Sequence, residues 1–110
     1  MVERLDTGLY QLIVERAPDA MILADQQGVI RLWNPAAEAL FGHTANEAVG
    51  QSLDIIVPER FRENHWTGFR RAVAEGATKY VGRVLPTRSI TKDGSTIYLD
   101  KTLSILRDDA

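Results

Sequence analysis

The sequence predicts an α+β domain in which an antiparallel sheet carries short helices and one long helix, and three observations predict it. Residues 28–43 compress a turn, a short apolar run and a capped helix into one stretch. Residues 58–75 place Phe61, His65, Gly68, Phe69 and Ala72 on one side of a helix at roughly 100° per residue. After Gly76 the composition turns strand-like, and residues 96–106 alternate with period two behind a Lys92-Asp93-Gly94 turn.

The elements follow in order. Leu5, Leu9, Leu12 and Ile13 recur at helical spacing after the candidate caps Asp6 and Thr7, so residues 1–16 form an amphipathic helix that ends before Pro18. That stripe either covers the outer face of the sheet or pairs with a second copy. Gly28 suits a positive φ, which lets the apolar runs 20–24 and 29–33 fold back as a hairpin. Asn34 stops the second run, because its side-chain oxygen can accept from the free amides of a following helix, and Pro35 stands where its missing N–H costs nothing. Gly42, just past Phe41, suits a left-handed C-cap. Thr44 with Glu47 forms a capping box for a further short helix ending at Gly50.

In the long helix, His65 lies near the middle of the apolar stripe and is expected to face inward. Gly68 and Ala72 are small, which leaves room beside the imidazole for a flat ligand. The last part of the chain reads as strand over 80–85 and 89–91, then over 96–106. In the final strand Ile97, Leu99, Leu103 and Ile105 share one face, while Thr96, Tyr98, Asp100, Thr102 and Ser104 share the other. Lys101 interrupts the apolar face. A core-facing ammonium is costly unless paired, hydrated or snorkelling, so either a bulge turns it outward or it belongs to a pocket.

Composition bounds the function. A chain of 110 residues with 45% hydrophobic content makes one globular domain with one core. A net charge of −2 disfavours a nucleic-acid footprint. Arg60, Arg62, Arg70 and Arg71 fall on the long helix, and the expected reading is a solvated face. No apolar run is long enough to span a bilayer, and Met1-Val2-Glu3-Arg4 has no secretion-signal character, so a cytoplasmic module without membrane contact is expected. With no cysteine, two histidines and no His-x-His pair, neither a zinc site nor a nucleophile with its base can be assembled. An enzyme is not expected.

The ordered set Ala17-Pro18-Asp19-Ala20, Gly28, Ile30, Asn34, Ala37, Phe41-Gly42, Glu47, Gly50, Lys92-Asp93-Gly94-Ser95 and Leu103-Ser104-Ile105-Leu106-Arg107-Asp108 resembles the PAS sensory domain. The resemblance covers residues 17–110 behind the N-terminal helix. It implies a five-stranded antiparallel sheet with the His65 helix across one face, enclosing a pocket, and a role in signal input to an output domain outside this chain: a kinase, a cyclase or a DNA-binding domain, in a two-component or transcriptional pathway. The absence of cysteine excludes the photochemistry of relatives that attach a flavin or chromophore through that residue.

Within the family, Pro58-Glu59-Arg60-Phe61-Arg62-Glu63-Asn64-His65 is similar to the helix of the FixL-type haem-binding oxygen sensors. That similarity implies haem b, with His65 as the proximal iron ligand and Arg71 against a propionate. The implied pocket is lined by Phe61, Gly68, Phe69, Ala72, Tyr80, Leu85, Leu99, Lys101 and Leu103. Leu85 stands where those sensors carry a gas-stabilising arginine, and Lys101 where they carry an apolar distal residue. His43 stands where relatives usually carry tyrosine, and a surface position is expected. Another small organic ligand in the same pocket is the alternative to haem. A rival reading is a ligand-free interaction module with a filled core, dimerising through the N-terminal helix or the outer sheet face.

Overall fold

In the computed structural model, which describes residues 6–106, Asp6 caps the first helix: its carboxylate accepts from the Leu9 amide at 2.8 Å. Leu5 of the predicted stripe and Arg107-Asp108 of the closing motif lie outside the described residues. The chain divides into two compact units, one up to Leu53 and one from Asp54 on.

In the first unit, α1 (Thr7–Arg16) ends where Ala17, held extended by the following Pro18, leaves the helix. Strand β1 (Ile22–Ala24) pairs antiparallel with β2 (Ile30–Trp33), and the register shifts between Leu23 and Ala24. The connecting turn is built on Asp25. Its carboxylate accepts from the amides of Gln27 and Val29 and pairs with Arg31 at 2.9 Å, while Gly28 takes φ 79°. The Val29 amide bond is the leading cause that lowers the Asp25 pKa.

Asn34 and Pro35 then start α2 (Pro35–Phe41), which Gly42 closes in the left-handed region at φ 87°. The capping box of α3 (Ala45–Ala48) is formed in both directions between Thr44 and Glu47. Residues 50–53 return along the start of β2: Ile30 donates to Gln51 and accepts from Gly50, each at 2.8 Å, and Leu53 donates to Gly28. Ile30, Trp33, Ala37, Phe41 and Ala48 are buried, and Ile30 is 0% exposed. These are the fully buried apolar side chains among the described residues, and all belong to this unit.

The second unit holds the long helix. Expected to start at residue 58, it begins as a 3-10 turn (Glu59–Phe61) and becomes α4 over Arg62–Glu75, because Pro58 is extended at ψ 139°. Strand β3 (Leu85–Ile90) pairs antiparallel with β4 (Thr96–Lys101) in an unbroken register running from Leu85 opposite Lys101 to Ile90 opposite Thr96. In the connecting turn the Asp93 carboxylate accepts from the Thr91 hydroxyl and the Ser95 amide, and these bonds lower its pKa to about 2.

Two strand expectations are corrected here. Residues 80–84 turn instead of extending, with the Arg83 amide donating to the Tyr80 carbonyl at 3.0 Å. With no extended partner opposite it, the last strand stops at Lys101 instead of running to residue 106. The described residues thus carry four strands in two antiparallel pairs, where the sequence suggested five in one sheet.

Candidate functional site

The second unit brings together a group of side chains around His65, and α4 presents it. The imidazole is half-buried, edge-on to Trp66 with ring centroids 4.7 Å apart and tilted against Phe69 at 6.1 Å. Trp66 and Phe69 also meet edge to face at 5.2 Å. The inward orientation expected for His65 is therefore what the helix adopts. Its Nδ1 is buried and has no hydrogen-bond partner among the described residues. Burial is the main cause that lowers the His65 pKa, the charge of Lys101 adds to it, and the charge of Asp54 opposes it. The ring is held in the neutral form, which carries a free lone pair and is the form that ligates metal ions.

Asp54 is fixed from two sides. It accepts from the Trp66 indole at 2.7 Å, and the Arg62 guanidinium lies 3.9 Å away. Arg62 also donates to the carbonyls of Val57 and Asp54. This departs from the solvated arginine face expected of α4, since Arg62 staples the turn before the helix. Arg70 and Arg71 are exposed, as expected of that face. Arg60 lies over the Phe61 ring at 4.7 Å.

Lys101 does not turn outward. The exposure of β4 alternates regularly, with Ile97, Leu99 and Lys101 half-buried and Thr96, Tyr98 and Asp100 exposed. Burial lowers the Lys101 pKa. Across the ladder the same face carries Leu85, Thr87 and Ser89.

The remaining candidates divide. Phe61, Phe69, Ala72, Tyr80, Leu85 and Leu99 are half-buried, whereas Gly68 and Leu103 are exposed. A Cβ added at Gly68 would meet nothing within 4 Å, so the helix is open there. Leu103 lies past the end of β4 and does not share its inward face. His43 is half-buried instead of on the surface, set edge-on to Trp33 at 6.1 Å, and its carbonyl accepts from the Trp33 indole.

Trp66 was not a sequence candidate. It lies off the Phe61–His65–Phe69 stripe, and only a search for an acceptor for its indole N–H would have pointed to Asp54. Among the described residues no three His, Asp or Glu side chains gather as a metal site, and no helix is long and apolar enough to cross a membrane.

The chain is similar to several sensor proteins. Sensor protein FixL of Bradyrhizobium diazoefficiens is 36% identical over 86 residues, which is 76% of this chain and 17% of that protein. Oxygen sensor protein DosP of Escherichia coli is 27% identical over 97 residues, 88% of this chain and 12% of that protein. The chain thus spans a small share of both. The crystal structure of a PAS domain from Colwellia psychrerythraea matches with a TM-score of 0.71 at 23% identity, over 84% of this chain and 75% of that one. The fold likeness agrees with the α+β elements described above, and the family model of the PAS fold matches residues 8–110, so the chain belongs to the PAS family.

Proposed function

We propose that this chain is a signal-input domain that binds haem b through His65 and regulates an output domain outside it. The observation that carries this reading is the His65 imidazole itself: neutral, half-buried on a helix, and with a buried ring nitrogen that has no partner among the described residues. An unsatisfied buried polar atom costs about 1–3 kcal/mol, which a bound group at this ring can offset. Haem would supply an iron able to bind a diatomic gas. The aromatic rings of Phe61 and Phe69 offer apolar surface, and the exposed Arg71 offers a cation for a propionate. Similarity to a sensor protein and to an oxygen sensor supports the same reading. Binding changes the output only by the difference in the ligand's affinity for the two states of the domain.

Haemin titration of the wild type and of His65→Ala tests this. The wild type is expected to take up haemin with a Soret band that is shifted, or lost, in the variant. No uptake by the wild type, or identical spectra from both proteins, overturns the assignment and favours an organic ligand or none.

A second role has its own support, self-association through α1. Leu9, Tyr10, Leu12 and Ile13 are all exposed on this helix, and such an apolar stripe is an interaction surface. Deleting the helix would also remove the Val14 carbonyl that the Asn34 amide binds, so substitution is the cleaner test. Leu12→Glu with Ile13→Glu is expected to convert a sedimenting dimer to monomer at matched concentration. An unchanged oligomeric state would show that the stripe is not the interface.

A further inference from the structure

We propose that Lys101 is the second recognition group of the His65 site, an ammonium that donates a hydrogen bond to the anionic or acceptor end of the ligand His65 holds. The inference rests on the haem reading above and adds to it a preference for one chemical class of exogenous ligand, small anions and electron-rich diatomics.

Lys101 occupies a position that a chain normally gives to an apolar residue. It shares the half-buried face of β4 with Ile97 and Leu99, and its cross-strand neighbour is Leu85. The register is unbroken through this pair, so no bulge rotates the side chain to the outer face, where Tyr98 and Asp100 stand. None of Leu85, Ile97 and Leu99 carries a side-chain acceptor. Among the described residues Lys101 makes no hydrogen bond or ion pair, and the electrostatic interaction it does make is with His65. The nearby carboxylate that also acts on His65, Asp54, is engaged by the Trp66 indole and by Arg62.

A half-buried cation and a buried imidazole nitrogen, both lacking a hydrogen-bond partner, therefore act within one electrostatic neighbourhood. Leaving two such groups unsatisfied is unfavourable. A ligand that presents a base-binding centre to one and a negative or lone-pair end to the other satisfies both. The same cation suppresses protonation of His65, so it also keeps the ring in its ligating form.

Fluoride is a suitable probe, because its binding to haemin-loaded protein is read by absorption and strengthens with a nearby donor. Lys101→Leu is expected to weaken fluoride binding about tenfold or more, the size of a lost charge-assisted hydrogen bond. Lys101→Arg, which keeps a cationic donor, should stay within about threefold of wild type. Lys101→Met replaces the leucine variant if that one fails to load. Equal fluoride affinity in the wild type and the neutral variant would overturn the role of Lys101 while leaving haem binding intact. If the wild type takes up no haemin at all, the haem reading and this inference fall together.

Discussion

Asn34→Ala is expected to cost about 3 kcal/mol of stability, among the largest losses available from a single polar side chain here. The residue is 3% exposed and uses its whole amide. Oδ1 accepts from the Met21 amide at 2.8 Å and from the Ala37 amide at 3.0 Å, and Nδ2 donates to the carbonyls of Val14 and Asp19, each at 3.0 Å. One side chain thus caps α2, anchors the approach to β1 and ties down the end of α1. Loss of an N-cap alone is worth about 1 kcal/mol. Here the truncation also strands a backbone donor and two carbonyls in a part-buried setting, and those penalties add. Urea unfolding followed by tryptophan fluorescence should show a lower midpoint at unchanged slope. Asn34→Asp separates the contributions, because it keeps the acceptor for Ala37 and Met21 but cannot donate to Val14 and Asp19. A loss under about 1 kcal/mol in the alanine variant would mean that water replaces the amide without penalty.

Ile30→Ala should cost a similar amount, roughly 3–4 kcal/mol, by a different route. Ile30 has no solvent exposure, and its backbone is bonded on both sides, to the 50–53 segment and within the β1–β2 pair. The surrounding chain cannot collapse readily into the space its side chain leaves. Leu99→Ala is the control, since a half-buried leucine on β4 loses only about 1 kcal/mol. Equal losses at the two positions would contradict the placement of the core.

Local chemistry was the legible part of this sequence. The Asn34-Pro35 start, the Gly42 stop and the Thr44–Glu47 capping box depend on residues within a few positions of one another, and each formed as read. The inward turn of His65 was legible for the same reason, since a helical stripe is a local pattern. What escaped depended on distant partners. Tyr80, Val81, Val84 and Leu85 have strand-like composition, yet Val81 and Val84 are each 63% exposed in a turn. Strand propensity becomes a strand only where a ladder partner exists, and composition does not report one. The cap role of Asn34 was visible, whereas its donations to Val14 and Asp19 were not, because they reach back across 20 and 15 residues. Alternation placed Lys101 on the apolar face. Choosing between a bulge and an inward ammonium needed the register, which only the pairing with Leu85 supplies.

The uneven distribution of buried apolar side chains sets how the protein breathes. Local opening is easiest where few apolar contacts must be broken, so amide hydrogens in α4 and in the β3–β4 hairpin trade with solvent deuterium through small, frequent fluctuations. Those of β2 and α2, wrapped around Ile30, Trp33 and Phe41, wait for rarer and larger openings. The segment that carries His65 and Lys101 is thus the more pliant one, and a pliant segment is what a small molecule can most cheaply remodel.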